Sequence, residues 1–285
     1  MIKKKGSLRY KKLENVKIFR RILIGLVIIL GLLGGAGYYY IQQNTYEPSS
    51  EAQVLVKEGK NKEDYLFFEG EKKNHGKSPL LIFYPGALVE PESYSIWAQD
   101  LAKNGFSVAI VKMPLDLAVM GGNKADKVKE DFPNSDYVIG GHSLGGVMAS
   151  RYVNKNHSDK HLKGVFFMAS YPDKKGTLTE SAVPVLSITA TKDKVLNQEA
   201  YQEAKQYLPE RTEYVSINGG NHGGFGSYGE QKGDGEAEIS NADQQTVIVN
   251  TLENIRYLSI ILRKVVICMY RTLREKTSQL TIDSK

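Results

Sequence analysis

The stretch Gly141-His142-Ser143-Leu144-Gly145 places a serine between two glycines. An apolar run at 137–140 precedes it and favours a strand, and residues 144–155 favour a helix. A strand-to-helix turn of this kind is so tight that its flanking positions tolerate almost no side chain, and it exposes the serine hydroxyl. The amides that begin the helix, including that of Leu144, would face a negative charge forming beside the serine. The spacing therefore predicts Ser143 as a nucleophile.

A nucleophilic serine needs a base, and the base needs a group that orients it. His222 lies among glycines after the strand-like run 212–217 and is the candidate base. Two aspartates follow other apolar runs and could orient it: Asp193 after 183–190 and Asp173 after 163–169. Each of them could instead be an ordinary turn residue. His142 adjoins the serine, but neighbours on a sharp turn diverge, so we expect it to support the loop.

The elements that must position these residues alternate between strand and helix, which predicts a mainly parallel α/β sheet. In such a sheet the site lies at the carboxyl ends of the strands. The first two strands are expected to form an antiparallel edge hairpin. The predicted strands are 52–57, 64–69, 79–84, 106–112, 136–140, 163–169, 183–190 and 212–217, and the predicted helices are 92–104, 123–131, 144–155, 197–208 and 243–258.

This order of elements, with the serine turn after the fifth strand, resembles the α/β-hydrolase fold in its compact dienelactone-hydrolase-like branch. The resemblance covers roughly residues 52–258. It implies a central sheet of about eight strands with helices on both faces, and a triad in the chain order Ser143, Asp193, His222. It favours Asp193 over Asp173, because the family places the acid after the later strand. Dienelactone hydrolases proper use a cysteine where this chain has Ser143, so the resemblance informs the fold and triad but not the substrate.

The resemblance also implies an oxyanion hole made of two backbone amides. One donor follows the third strand, at Tyr84-Pro85-Gly86-Ala87, and the other is Leu144. Pro85 has no N–H, so Ala87 is the expected donor and Gly86 the alternative.

Two loops bear on the pocket. Only residues 170–182 separate the sixth and seventh strands, too few for a helical lid, so the site should be open and rimmed by loops. The stretch 223–242 is too long for a simple connection, which is typical of functional or disordered loops. Its acidic residues do not match the spacing of a calcium loop. We therefore expect no metal and no cofactor.

The N-terminal region predicts a membrane anchor. Residues 22–41 carry no charge and would span about 30 Å as a helix, the thickness of a bilayer core. Nine Lys and Arg residues in 1–21 and the cluster Tyr38-Tyr39-Tyr40 place the N-terminus in the cytoplasm and the rest outside. The alternative is a signal peptide cleaved after small residues such as Gly34 and Ala36. We expect a retained anchor, because the apolar stretch continues past that site.

The remaining domain predictions follow from composition. The net charge of +6 belongs to the basic tail 1–21, so nothing indicates a nucleic-acid partner. A polar linker is predicted at 42–51 and the hydrolase domain at 52–258. Residues 259–285 predict a basic amphipathic helix, which could lie on the membrane or pack on the domain. Cys268 is the single cysteine, so no internal disulfide can form.

Together these features lead us to expect a membrane-anchored, extracytoplasmic serine hydrolase. It would be esterase-like and act on a small carboxylic ester or related acyl substrate, with the cytoplasmic membrane as its other partner. Two alternatives stay open from sequence alone. One is a non-catalytic cell-envelope binding domain on the same fold, and the other is an acyltransferase that uses the same three residues.

Overall fold

The computed structural model describes the backbone of residues 3–71 and 79–253, and the side chains of 19–71 and 79–253. The chain divides into two compact units, Met1–Thr45 and Tyr46–Lys285. The first unit is the helix α1, Lys3–Asn44. Within it, Phe19–Asn44 is long and apolar enough to cross a membrane, a criterion that a signal sequence near the N-terminus also meets. The predicted anchor, 22–41, lies inside this stretch.

The second unit is built on one eight-stranded sheet, with the strand order β1-β2-β4-β3-β5-β6-β7-β8. The pairs from β4 through β8 are parallel, whereas β1–β2 and β2–β4 are antiparallel. The predicted mainly parallel sheet of about eight strands is therefore confirmed. The strands are β1 Lys60–Asn61, β2 Tyr65–Phe68, β3 Leu80–Tyr84, β4 Val108–Val111, β5 Tyr137–His142, β6 Leu162–Met168, β7 Val185–Ala190 and β8 Glu213–Ile217.

In the described part of this unit, six α-helices accompany the sheet: α2 Ser50–Leu55, α3 Ser95–Lys103, α4 Ala125–Asp131, α5 Leu144–Lys155, α6 Gln198–Ala204 and α7 at 241–253. Alternate residues of the central strands face opposite sides, so the sheet carries two apolar cores. Phe83 of β3 packs in the core that includes Trp97 of α3 and the α7 residue Ile248. Its neighbour Ile82 belongs to the other core, with residues of α4 and α5. Both faces of the sheet are thus covered by helices, as predicted.

The predicted first strand, 52–57, is wrong, because this stretch forms α2 and a following 3₁₀ turn. Ser49 caps the helix by accepting the N–H of Ala52 at 3.2 Å, and Glu51 lies in its first turn. Ala52 is buried while Gln53 and Val54 are exposed, which is not the alternation of a strand. The predicted antiparallel edge hairpin does exist, but its first strand is β1.

Residues 46–51, part of the predicted linker, are bonded into the second unit. The N–H of Tyr46 donates to the carbonyl of Leu88 at 2.7 Å, and Tyr46 forms a parallel bridge with Val89. The N–H of Ser49 donates to the carbonyl of Ser227 at 2.7 Å. The ordered domain therefore begins earlier than the predicted boundary at 52. The predicted C-terminal extension, 259–285, and Cys268 within it lie outside the described residues.

Candidate active site

Ser143 lies between β5 and α5 in a strained backbone conformation, with φ 50° and ψ −124°. A left-handed conformation at a residue other than glycine costs about 1–3 kcal/mol and persists only where its surroundings enforce it. Here the N–H of Ser143 donates to the carbonyl of Met168 at 3.0 Å, and its carbonyl accepts from Ser170 Oγ at 2.6 Å. The turn is thus fixed from the neighbouring strand, β6, and its side chain stays partly exposed.

The two glycines of the motif are required by the approach of β3. A Cβ atom on Gly141 would lie 2.5 Å from the carbonyl oxygen of Tyr84, and one on Gly145 only 2.1 Å from it. No side chain fits at such distances. The glycine spacing around Ser143 is therefore a consequence of packing the turn against the end of β3.

Asp193 and His222 form a buried pair. His222 Nδ1 lies 2.8 Å from Asp193 Oδ2, and the two side chains are 1% and 0% exposed. Asp193 Oδ1 also accepts the N–H groups of Val195 and Leu196, at 2.9 and 2.8 Å. A carboxylate oxygen accepts a hydrogen bond from a protonated Nδ1, and in that tautomer Nε2 is the acceptor nitrogen of the ring.

His222 Nε2 is buried and has no hydrogen-bond partner among the residues that the structure describes. Ser143 Oγ is therefore not bonded to it here, a common finding in free enzymes, whose catalytic hydrogen bonds shorten only on substrate binding. The residue next to Ser143 does contact His222. The ring of His142, the residue before Ser143, packs on the ring of His222 with centroids 4.5 Å apart.

Asp173, the alternative acid, is bound elsewhere. Its carboxylate accepts from Arg151 Nε at 3.1 Å and from the Arg151 guanidinium terminus, and it also caps a 3₁₀ turn through the N–H of Gly176. The hydrogen bonds and charge of Arg151 lower the pKa of Asp173. The geometry therefore pairs His222 with Asp193 and gives Asp173 a different partner.

The two expected oxyanion donors lie in the turns after β3 and β5. Among the described residues, neither the N–H of Ala87 nor that of Leu144 has a hydrogen-bond acceptor. The N–H of Gly86, the alternative donor, is already bonded to Tyr94 Oη at 3.0 Å. The structure thus leaves Ala87 and Leu144 available and Gly86 occupied.

A family model described as the alpha/beta hydrolase family matches residues 80–246, more than half of the chain. The chain belongs to the alpha/beta hydrolase family. The matched region contains β3 to β8 and all the candidate residues above.

Several solved structures are similar to this alpha/beta hydrolase chain. A presumed hydrolase from Agrobacterium vitis S4 has a TM-score of 0.50 at 12% identity, covering 70% of this chain and 96% of that chain. Dienelactone hydrolase from Anabaena variabilis ATCC 29413 gives 0.49 at 12%, covering 67% and 90%. Est1E from Butyrivibrio proteoclasticus gives 0.48 at 13%, covering 67% and 93%. Likeness at these identities shows the fold alone. No curated protein matches the sequence.

Sequence reasoning missed how His142 and Tyr94 support this alpha/beta hydrolase site. Tyr94 Oη accepts the N–H of Gly86 and lies 3.0 Å from His142 Nδ1, to which its own proton can be donated. Burial, and then the neighbouring His222, hold the pKa of His142 well below its usual value. His142 is therefore a neutral ring between the turn after β3 and His222. The His-Ser neighbourhood was visible in the sequence, but the contacts with Tyr94 and His222 had no local signal.

Backbone strain collects at the same edge of the alpha/beta hydrolase sheet. Five described residues other than glycine have positive φ, and all lie in turns that follow β3, β4, β5 or β6: Leu88, Leu115, Asp116, Ser143 and Ala169. Strain of this kind concentrates at functional sites.

Burial and the charge of Glu92 raise the pKa of Asp116, one of these residues, to about 6. No cluster of three or more metal-ligating side chains occurs in the described part of the chain.

Gln244 of α7 positions the turn that carries His222. Its Oε1 accepts the N–H of Asn221 at 3.0 Å, and its Nε2 donates to the Asn221 carbonyl at 2.8 Å. A Cβ atom on Gly224 would lie 2.1 Å from Gln244 Oε1, so the glycines around His222 allow the amide side chain to approach. The amide therefore fixes the backbone of the residue directly before His222.

Proposed function

We propose that this chain is a membrane-anchored, extracytoplasmic serine hydrolase, esterase-like in its chemistry, acting on a carboxylic ester or related acyl substrate. Ser143 is the nucleophile, His222 the general base and Asp193 the residue that orients it. The amides of Ala87 and Leu144 form the oxyanion hole. One observation carries the proposal: a buried Asp193–His222 pair presents an unoccupied Nε2 and packs against the residue that precedes a strained serine turn.

The proposed reaction uses these groups in two half-reactions. Ser143 Oγ attacks the acyl carbon while its proton passes to His222 Nε2, and the negative carbonyl oxygen is stabilised by the two amides. The intermediate then expels the alcohol, which takes the proton from Nε2. Water repeats the sequence on the acyl-serine, giving the carboxylic acid and restoring Ser143. Asp193 accepts the hydrogen bond from His222 Nδ1 throughout and stabilises the imidazolium.

His142 supports this mechanism by staying uncharged. A cationic ring beside His222 would disfavour the imidazolium that forms during each half-reaction. Burial lowers the pKa of His142, so the neighbouring ring stays neutral when His222 takes the proton. The proposal thus accounts for a buried histidine that is outside the triad.

The substrate site is proposed to be open. Between β6 and β7 the described chain forms only the 3₁₀ turn Lys174–Gly176, without a helical lid. The rim of the proposed substrate site includes the turn after β3 and the segment after His222. This favours small esters that approach from solvent, or acyl groups that project from a larger molecule.

The decisive test is labelling by a serine-reactive fluorophosphonate, followed by a panel of p-nitrophenyl esters of increasing acyl length. Ser143→Ala should abolish both labelling and hydrolysis and leave thermal unfolding unchanged, because the side chain is small and partly exposed. Ser158→Ala, at an exposed serine, is the matched control and should react like wild type. Equal labelling of Ser143→Ala would remove Ser143 as nucleophile, and an unreactive, folded wild type would favour a non-catalytic domain.

Anchoring is tested separately. A reporter that is active only outside the cytoplasm, fused after residue 50, should be active, and the mature chain should stay with membranes after high-salt and carbonate washing. We expect both results because the stretch Phe19–Asn44 is long and apolar enough to span a membrane and the tail before it is basic. A soluble mature chain that begins near Gly37 would instead establish a cleaved signal peptide.

A further inference from the structure

The long segment after His222 is folded back onto both turns that hold the candidate pair. We call residues 226–239 the strap. Its N–H at Ser227 donates to the carbonyl of Ser93 at 2.7 Å, and its N–H at Glu238 donates to the carbonyl of Gly219 at 2.7 Å. The strap therefore starts beside the turn after β3 and ends beside the turn after β8. Nothing in the proposed reaction so far uses it.

Asp234, in the middle of the strap, bridges the turn that carries Asp193 and the turn that carries His222 with one carboxylate. Its Oδ2 accepts the N–H of Gly223, the residue directly after His222, at 2.8 Å. Its Oδ1 accepts the N–H of Lys194, the residue directly after Asp193, at 3.2 Å. The same group thus holds the backbone next to the base and the backbone next to the acid.

The neighbouring residue shows how closely the strap is seated. A Cβ atom on Gly235 would lie 1.9 Å from the carbonyl oxygen of Lys192, so only glycine fits there. The carbonyl of Gly235 accepts from Asn221 Nδ2 at 2.8 Å. The residue directly after Asp234 therefore contacts the same two turns, 191–194 and 220–223.

We propose that Asp234 is a positioning residue that couples the Asp193 turn to the His222 turn. It thereby keeps His222 Nδ1 within hydrogen-bond distance of Asp193 Oδ2 during turnover. The inference rests on the proposed function, because it assigns Asp234 to the serine hydrolase reaction. A carboxylate suits the role because its two oxygens accept from two separate amides. An asparagine could accept only one of them, since its nitrogen is a donor.

The kinetic test compares Asp234→Ala, Asp234→Asn and the control Glu236→Gln, which neutralises an exposed carboxylate two residues away. A misplaced catalytic pair lowers turnover more than binding, so kcat of Asp234→Ala should fall roughly 10- to 100-fold with KM changed less than about threefold. Asp234→Asn should be intermediate, because it keeps one acceptor. Glu236→Gln should match wild type. An unchanged kcat in folded Asp234→Ala would overturn the proposal.

Amide hydrogen exchange on the full chain gives a readout independent of catalysis. The amides of Lys194 and Gly223 should exchange about tenfold faster in Asp234→Ala, because each loses its acceptor, and should be unchanged in Glu236→Gln. If exchange rises while wild type shows no hydrolysis, the coupling of the two turns stands and the proposed function fails. If neither amide changes, the coupling is refuted whatever the activity. Faster exchange with normal kcat would refute its role in positioning.

Discussion

Two neighbouring strands each end in a loop that presents an aspartate, and the two aspartates behave differently. Asp173, after β6, faces the guanidinium of Arg151, and its side chain is 35% exposed. Asp193, after β7, is fully buried and bonded to His222. Both lie in the loop that follows the carboxyl end of their strand. The role of each carboxylate is therefore decided by the cation or ring that its neighbours supply.

The energetics differ in the same way. A partly exposed ion pair contributes about 0–1 kcal/mol, because water and salt screen it. A buried carboxylate is costly unless its oxygens are satisfied, and Asp193 accepts two backbone N–H groups in addition to His222. Asp173 thus has the features of a carboxylate in a structural ion pair. Asp193 has those of a carboxylate that backbone amides fix in position beside His222.

The largest expected effect comes from Asp193→Asn. The asparagine keeps the shape of the side chain but can present its nitrogen to His222 Nδ1, which favours the wrong tautomer and removes the charge that stabilises the imidazolium. If the three residues act as the proposed triad, kcat should fall by about 10⁴-fold, as it does in serine triads that lose the aspartate charge. Ester hydrolysis should be measured with thermal unfolding in parallel, so that loss of fold is excluded. A kcat close to wild type would break the contrast between the two aspartates.

Asp173→Asn should have a much smaller effect on turnover. Its partner Arg151 lies on α5, and no hydrogen bond of the described residues joins this pair to Asp193 or His222. The kcat should therefore fall less than about tenfold, a barrier change below ~1.4 kcal/mol. The same ester assay measures it, with Asp193→Asn alongside. The reverse ranking of the two variants would move the acid to the loop after β6 and leave Ser143 and His222 in their proposed roles.

The smallest effect concerns stability and pH. Because Arg151 lowers the pKa of Asp173, the pair stabilises the fold above the unfolded-state pKa of about 4 and is lost as pH falls through the lower folded-state value. The difference in Tm between wild type and Asp173→Asn should therefore be present at neutral pH and shrink below about pH 4. Arg151→Gln should reproduce most of this loss. A Tm difference independent of pH would assign the effect to packing.

Much of the fold was predictable because its signals are local. Seven of the eight predicted strands match β2 to β8, since continuous apolar runs mark strands buried on both faces. The stretch 52–57 failed because it is short, and its helix depends on the cap by Ser49 and on packing. Glycine spacing pointed to the Ser143 turn because β3 approaches Gly141 and Gly145 closely.

The supporting contacts were not predictable, because they join residues far apart in sequence. Tyr94 and His142 are 48 positions apart, and Lys194 and Asp234 are 40 apart. The sequence marked the segment after His222 as too long for a connection, but length alone does not show what a segment contacts. The assignment of Ser143, Asp193, His222, Ala87 and Leu144 to catalysis stays a prediction until the variants are measured.

The hydrogen bond between Tyr46 and the turn after β3 has a consequence for proteolytic release from the membrane anchor proposed above. A protease that cut just before Tyr46 would shed a domain that keeps the Tyr46–Val89 bridge and the Ser49–Ser227 contact. A cut at 51–52 would remove both, together with the cap of α2, and would loosen the turn that carries Ala87. Two shed forms that differ by only six residues could therefore differ in activity, and the cleavage position would set how much of the released protein works.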